Sequence, residues 1–203
     1  MKVVKTQSID DAIAVLLKGG VGVMPTDTVY GLVARAADPK AVARLYSLKH
    51  REHKPGTIIA ANVAQLVELG IKKRYLTAVE QFWPNSLSII IPTGDDLAYI
   101  HVGLDSLAVR VPNDEAFVHV LEQTGPLVTS SANDPGKNPA STIGEASDYF
   151  GDTVDFYVDG GDLSSRASST VIRIVDDAIE VLREGAVQIT ETGKILNVYK
   201  RPR

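Results

Sequence analysis

The sequence has no cysteine in 203 residues, which excludes disulfides, thiol nucleophiles and thiolate metal sites. Its four histidines show neither the HxxxH nor the HExxH spacing, so we predict no metal held by protein side chains. Basic residues are not in excess, because the formal net charge is −4. A global positive field that would bind nucleic acid non-specifically is therefore absent, and any basic patch must be local.

Long apolar runs are also missing, and none is of the length that crosses a bilayer. Met1–Lys5 lead directly into an amphipathic segment rather than into the apolar core of a signal peptide. We therefore expect a cytoplasmic protein without a membrane partner. The length and the 44% apolar share suit one large core. We predict a single domain over residues 1–190 and a polar, basic tail over residues 191–203.

Short apolar segments alternate with amphipathic ones along the first half of the chain. Val21–Met24, Gly56–Ala61 and Leu87–Ile91 have the composition of buried strands. Further short strands crowd together towards the end, and this order is typical of an open, twisted, mixed α/β sheet with flanking helices. Ligands of such sheets bind beyond the strand ends, so we expect a deep cavity there.

Capping residues predict where the helices begin. Ser8, Asp38, Asn62 and Thr142 each precede a segment with helical spacing of apolar residues, and Asn113 precedes another. Residues 75–83 also have a helical pattern, whereas residues 97–102 could add a short strand. From residue 190 onwards we expect no regular structure.

The segment around Pro25 has the features of a binding site. Val21–Met24 reads as a buried strand, Pro25 stops its hydrogen-bond ladder, and Thr26–Thr28 place three polar side chains at the strand end. Lys49 and Arg51 follow the end of the next helix, one residue apart. If the chain folds back, both cations can face the same anion as the threonines, which suits a nucleotide. They could equally be helix-end cations that complement the dipole.

Arg110 lies within an apolar strand, where a guanidinium must be paired or bind an anion. Its fork of donors matches an amino-acid carboxylate. Polar side chains also gather in Thr129–Asn133 and Ser168–Thr170, and with Ser106 these strand ends could line one cavity. The usual nucleotide motifs GxxxxGK[ST] and GxGxxG are absent, and so is the GxSxG elbow of hydrolases.

Seven motifs together resemble the YrdC/TsaC family of L-threonylcarbamoyladenylate synthases, over about residues 8–186. They stand in the family's order at 25–32, 49–51, 82–84, 108–112, 131–133, 169–172 and 182–185. The resemblance implies the short, single-domain form, with a YrdC-like twisted sheet around a deep basic cavity. It also implies a nucleotidyltransferase that makes threonylcarbamoyl-AMP from L-threonine, bicarbonate and ATP, with Mg²⁺ on the ATP. The product would pass to a tRNA threonylcarbamoyl transferase complex for the t6A modification of tRNA.

The resemblance also implies roles for individual residues. To L-threonine it assigns Thr28, Arg110, Thr129 and Ser169. To ATP it assigns hydroxyls, an amide and cations: Lys49, Arg51, Lys54, Ser106, Ser131, Asn133 and Arg183. Lys49 and Arg51 are the predicted catalytic residues, acting on charge at the phosphates or the reacting carbonate. No protein nucleophile is needed, so catalysis would rest on positioning and on stabilising charge.

This chain departs from the family after Arg51, where Glu52–Gly56 replace a pattern that many members share, and Lys54 is our candidate for the ATP contact there. Two other functions stay open. One is an RNA-binding YrdC-like module, with Lys200–Arg203 as a weak electrostatic anchor. The other is a carbamoyl-transfer domain like that of hydrogenase-maturation proteins, although that domain lies within a much longer chain.

Overall fold

The fold is known from a computed structural model that describes residues 5–50 and 54–198. Its helices are α1 (Ile9–Leu17), α2 (Pro39–Leu48), α3 (Val63–Glu68), α4 (Lys73–Thr77), α5 (Ala98–His101), α6 (Glu115–Thr124) and α7 (Ile143–Phe150). Its strands are β1 (Gly22–Pro25), β2 (Tyr30–Arg35), β3 (Thr57–Ile59), β4 (Leu87–Pro92), β5 (Ser106–Arg110), β6 (Leu127–Ser131), β7 (Phe156–Tyr157), β8 (Thr170–Val175), β9 (Ala178–Arg183), β10 (Val187–Ile189) and β11 (Ile195–Val198).

Within the described residues, nine strands form one sheet in the order β7-β1-β2-β6-β3-β5-β4-β8-β9. Three neighbouring pairs are parallel, namely β1 with β7, β3 with β5 and β4 with β8. The other neighbours, such as β1 with β2 and β2 with β6, are antiparallel. The predicted mixed α/β sheet with flanking helices is therefore confirmed.

Each face of the sheet packs against helices. Tyr30 and Ile89 belong to the larger buried cluster, which includes Leu45 of α2. The opposite face carries a smaller cluster in which Ile59 joins Leu16 of α1 and Phe117 of α6. Successive strand residues point to opposite faces, so the unbroken apolar runs of the sequence supply both clusters.

The predicted helix starts are confirmed where the capping side chain bonds the first turn. Asp38 accepts hydrogen bonds from the backbone N–H of Lys40 and Ala41, and Pro39 occupies the first helical position, where no N–H is required. Ser8, Asn62 and Thr142 cap their helices in the same way. The cap of α6 is Asp114 rather than the predicted Asn113, because its carboxylate is the one that reaches the N–H of Phe117.

Several other expectations for the secondary structure are wrong. Residues 97–102 contain no strand; α5 lies there, and its C-terminal capping residue Val102 is in the left-handed region, with φ of 46°. Residues 75–83 do not form one helix, because α4 ends at Thr77 and a separate 3₁₀ turn covers Glu80–Phe82. Strand β2 was not predicted, although its first five residues are buried.

The expected tail is structured over part of its length. β10 pairs with β11 in an antiparallel hairpin, so the predicted domain boundary at 190 falls inside that hairpin. Residues 199–203, which include the proposed basic anchor, lie outside the described residues. None of the helices in the described ranges is long and apolar enough to span a membrane.

Candidate functional site

A polar cavity of about 170 Å³ opens over the central strands. Its lining is rich in hydroxyl groups and includes two arginines: Thr26, Thr28, Val29, Tyr30, Gly31, Pro55, Thr57, Arg110, Thr129, Ser130, Ser131, Ser168, Ser169 and Arg183. Residues that are directly paired on neighbouring strands point to the same face of the sheet. Among the lining residues, Thr57 is paired with Thr129, and Gly31 is paired with Ser131. The cavity therefore extends across the face that carries α1 and α6, and is not confined to the strand ends.

The turn between β1 and β2 fixes one wall. The hydroxyl of Thr26 donates to the carbonyl of Val29 at 2.7 Å and accepts from the backbone N–H of Thr28 at 3.2 Å. Arg166 donates to the carbonyl of Thr26 at 3.0 Å. Thr26 therefore shapes the turn, while Thr28, whose hydroxyl lies 3.1 Å from that of Thr26, faces the cavity as predicted.

Arg110 is held in place by a buried carboxylate. Its Nε lies 3.1 Å and 3.2 Å from the two carboxylate oxygens of Asp27, and its Nη2 donates to Oδ1 at 2.6 Å. Both side chains are at least 96% buried. Ser86 donates a further hydrogen bond to Asp27 at 2.8 Å. The two ions are paired and hydrogen-bonded, which is the condition under which burial of charge is tolerated.

The far wall is formed where β8 begins and β9 ends. Arg183 donates to the carbonyl oxygen of Ser169 from Nε at 3.0 Å and from Nη2 at 2.8 Å, and Nη2 also reaches Ser169 Oγ at 2.9 Å. The hydroxyl of Ser88 lies 3.2 Å from the same Oγ. Ser169 is thus fixed by two neighbours, and Arg183 is brought to the cavity with it.

Lys49 is not among the residues that line the cavity, contrary to the expectation that it faces the same anion as the threonines. It is buried, and its Nζ donates to the carbonyl of Ser131 at 2.9 Å, to Asn133 Oδ1 at 3.1 Å and to the carbonyl of Asn133. The side chain of Lys49 is enclosed because the loop after β6 folds over the end of α2. Its ammonium therefore lies behind the loop that presents Ser131 to the cavity.

The cavity brings together six of the predicted site residues: Thr28, Arg110, Thr129, Ser131, Ser169 and Arg183. Asn133 is buried beside them, where Oδ1 accepts from Ser131 Oγ at 2.6 Å and Nδ2 donates to two loop carbonyls. Lys54 is exposed, one residue before Pro55 of the lining. Arg51 lies outside the described residues.

Ser106 lies apart from this group, so the expectation that it lines the same cavity is wrong. It stands four residues before Arg110, about 13 Å along the same face of β5. Its hydroxyl donates to the carbonyl of Leu104 at 3.2 Å. A ligand that extended from Arg110 along β5 would pass Ala108 before it reached Ser106. The assignment of Ser106 to ATP stays a prediction.

Sequence reasoning missed three residues of the site. Asp27 was noted only as a polar strand-end residue, Ser88 lay unremarked in an apolar strand, and Thr57 was only the second residue of a predicted strand. The sequence did indicate that Arg110, a cation within an apolar strand, must be paired or bind an anion. It could not identify that partner, because Asp27 and Ser88 reach Arg110 from sequence separations of 83 and 22 residues.

A tyrosine fixes the loop that leads to Ser168 and Ser169. Tyr30 is fully buried, and its hydroxyl donates to the carbonyl of Gly161 at 2.9 Å and accepts from the N–H of Gly160 at 2.8 Å. Burial raises the pKa of Tyr30 to about 12, so the phenol stays protonated at neutral pH. The loop is therefore tied to β2 by a neutral hydrogen bond.

Gly185 lets the chain pass close to Ser168 and Ser169, and its replacement by alanine should destabilise this wall. A Cβ there would lie 2.2 Å from the carbonyl oxygen of Ser168 and 2.6 Å from the carbonyl carbon of Ser169. Overpacking of this kind costs about 1–3 kcal/mol, so we expect the melting temperature of Gly185→Ala to fall by roughly 2–12 °C. Gly144→Ala is the control, because the nearest atom to a Cβ there is 3.7 Å away. Equal melting temperatures for the two variants would contradict the close approach.

No group of three or more His, Asp or Glu side chains in residues 5–50 and 54–198 is arranged to hold a metal ion. The cavity offers hydroxyls and guanidinium groups, which are donors to anions. A ligand with several anionic oxygens fits this lining better than a metal bound by protein carboxylates.

Several known proteins resemble this chain in sequence. The profile of the Sua5/YciO/YrdC family, described as telomere recombination, matches residues 14–185. The threonylcarbamoyl-AMP synthase of Bacillus subtilis is 34% identical over 187 residues, which cover 88% of this chain and 54% of that protein. A putative threonylcarbamoyl-AMP synthase of Methanocaldococcus jannaschii is 32% identical over 181 residues, covering 88% and 86%.

Solved structures share the fold. Sua5 of P. abyssi, complexed with L-threonine, superposes with a TM-score of 0.80 at 29% identity, over 93% of this chain and 57% of that one. YciO of E. coli gives a TM-score of 0.74 at 25% identity, over 87% and 88%. The chain thus spans just over half the length of the P. abyssi protein and most of the length of YciO. With the family profile covering most of the chain, the protein belongs to the Sua5/YciO/YrdC family.

Proposed function

We propose that this protein is a threonylcarbamoyl-AMP synthase, which condenses L-threonine, bicarbonate and ATP and releases pyrophosphate. The observation that carries the proposal is Arg110, buried and held by Asp27 at the floor of a small polar cavity. Drug-sized ligands occupy pockets of about 300–1,000 Å³, so a cavity of about 170 Å³ suits a smaller molecule such as an amino acid. A family relative of the same fold is solved with L-threonine bound.

The donors of Arg110 fit this assignment. A guanidinium has five N–H groups, and the contacts to Asp27 and Ser88 engage one on each nitrogen. Two N–H groups remain, one on each terminal nitrogen, and together they would hold a carboxylate in a bidentate pair. The carboxylate of threonine would bind there, with Thr28, Thr129 and Ser169 around its amine and side chain.

ATP would bind beside the amino acid. Ser131 and Arg183 line the cavity, and Asn133 and Lys49 stabilise the loop that presents Ser131. Arg51, Lys54 and Ser106 remain candidates for contacts to the rest of the nucleotide. Mg²⁺ would arrive bound to the phosphate oxygens of ATP, which is the usual mode for this ion in nucleotide-dependent enzymes, and would help to neutralise their charge.

The reaction needs no protein nucleophile. The amine of threonine adds to the carbon of CO₂ formed from bicarbonate, loses a proton and becomes a carbamate. A carbamate oxygen then attacks the α-phosphorus of ATP, the bond to the bridging oxygen of the β-phosphate breaks, and pyrophosphate leaves. Arg110 and the hydroxyl lining orient the first partner, while Arg183 and Arg51 would stabilise charge on the phosphates.

The product is an activated carbamoyl donor, so a tRNA threonylcarbamoyl transferase complex would be the downstream partner in t6A synthesis. Separately, we propose a direct but weak contact between Lys200–Arg203 and RNA. ATP and tRNA are both present in the cytoplasm, and we propose that the reaction takes place there.

Pyrophosphate release is expected to require both L-threonine and bicarbonate. Serine should be a poorer substrate, because the methyl group of threonine would pack against apolar atoms of the lining, a difference of about 1–3 kcal/mol. Release of pyrophosphate from ATP is measured with each component omitted in turn, and with serine or glycine in place of threonine. Equal rates with all three amino acids would contradict the threonine pocket.

The same assay separates the alternatives. An RNA-binding module releases no pyrophosphate under any of these conditions, and a carbamoyl-transfer domain responds to carbamoyl phosphate rather than to threonine. HypF shares the fold with a TM-score of 0.72, but at 21% identity that likeness concerns the fold alone.

A further inference from the structure

Ser88 belongs to a chain of hydrogen bonds that links Arg110 and Arg183, the two arginines of the cavity lining. It lies on β4, which is paired with β5 on one side and β8 on the other, and is fully buried. Nη1 of Arg110 donates to Ser88 Oγ at 3.2 Å, and Ser88 Oγ donates to Ser169 Oγ at 3.2 Å. On the other side, Nη2 of Arg183 donates to Ser169 Oγ at 2.9 Å. One chain of hydrogen bonds therefore runs from Asp27 through Arg110, Ser88 and Ser169 to Arg183.

The direction of each bond in this chain is set by the arginines. A hydroxyl has one proton to donate and two lone pairs to accept with. Arg110 can only donate, so Ser88 accepts from it and directs its own proton to Ser169. Arg183 can only donate as well, so Ser169 accepts twice. Its own proton is then left for an acceptor, and Ser169 lines the cavity.

We infer that Ser88 is a positioning residue that makes Ser169 a hydrogen-bond donor to the ligand and couples the two ends of the cavity. The inference rests on the proposed function, in which Arg110 binds threonine and Arg183 binds ATP. A ligand carboxylate on the remaining N–H groups of Arg110 further restricts the guanidinium that Asp27 already holds, and through Ser88 and Ser169 it restricts Arg183. Threonine therefore raises the affinity for ATP, and ATP raises the affinity for threonine by the same factor.

The coupling is measured by calorimetric titration of L-threonine with and without a saturating α,β-methylene analogue of ATP. We expect the analogue to tighten threonine binding about fivefold or more in the unmodified protein, the lower end of ordinary coupling between sites. In Ser88→Ala the chain is cut, and the ratio of the two affinities should fall to less than about twofold. An unchanged ratio in Ser88→Ala would overturn the inference.

Two further variants separate positioning from general damage to the core. Thr124→Val removes another buried hydroxyl, which bonds only carbonyl oxygens at the end of α6, and it should keep the full coupling ratio. Ser169→Ala cuts the same chain at the cavity wall and should lower the ratio even if Ser88→Ala does not fold. Adding Ser88→Ala to Ser169→Ala should change the ratio no further. A further, additive loss would mean that Ser88 acts through packing alone.

Failure of this inference differs from failure of the proposed function. If the unmodified protein releases pyrophosphate with threonine but shows no coupling, the role of Ser88 is wrong and the synthase assignment stands. If neither threonine nor the analogue binds, both are wrong.

Discussion

Replacing Arg110 by glutamine should nearly abolish the binding of threonine and leave the binding of ATP within a few-fold of normal. Removing one partner of a buried, charged hydrogen bond to a ligand costs about 2–5 kcal/mol, which weakens binding about 30-fold to several thousandfold. Separate calorimetric titrations of L-threonine and of ATP measure the two effects. Loss of ATP binding with threonine binding intact would reverse the assignment of the two ends of the cavity.

The same variant should also lose stability, because Asp27 remains as a buried carboxylate without its cation. Breaking such a pair from one side costs about 3–5 kcal/mol. The matched control is the double variant Asp27→Asn with Arg110→Gln, in which two neutral amides can bond each other. Its melting temperature should recover most of the loss, while threonine binding should not recover. Recovery of both would mean that Arg110 acts only through the stability of the fold.

Local structure was predictable wherever a few neighbouring residues decide it. The helix starts at Asp38, Asn62 and Thr142 follow from side chains that bond N–H groups two or three residues later. Apolar runs such as Leu87–Ile91 predicted central strands, since only a strand covered on both faces accommodates them. β10 and β11 were missed because each is only three or four residues long, and each is stabilised as a strand by pairing with the other.

The site was predictable in its members but not in its connections. Six of the expected residues line one cavity because the family motifs mark them. The partners of Arg110 and Lys49 could not be predicted, because they depend on how distant strands and loops meet. Position after a helix end suggested that Lys49 was exposed, but burial at that point is decided by the loop after β6, more than 80 residues further along.

The buried position of Lys49 changes what its replacement should do. Lys49→Met keeps the length of the side chain but removes its charge and its three donors, so the carbonyl oxygens of Ser131 and Asn133 and the amide oxygen of Asn133 lose a partner. Asn133 Oδ1 still accepts from Ser131 Oγ, whereas a buried carbonyl oxygen left without any partner costs about 1–3 kcal/mol. We expect a clear fall in melting temperature together with a fall in turnover of about 10²-fold, because the loop that presents Ser131 loses its anchor and the site is misplaced.

Two comparisons decide whether Lys49 holds the loop or acts on the substrate directly. Lys40→Met removes an exposed lysine from the same helix and should change neither the melting temperature nor the turnover. Lys49→Arg keeps the charge, but a planar guanidinium cannot direct its donors at three oxygens that surround one compact ammonium, so stability and turnover should both stay low. Melting curves and steady-state rates of pyrophosphate release are measured for all three variants. A Lys49→Met protein with normal stability and lost turnover would mean that Lys49 contacts the phosphates directly, because the loss of a residue that only anchors the loop would also lower stability.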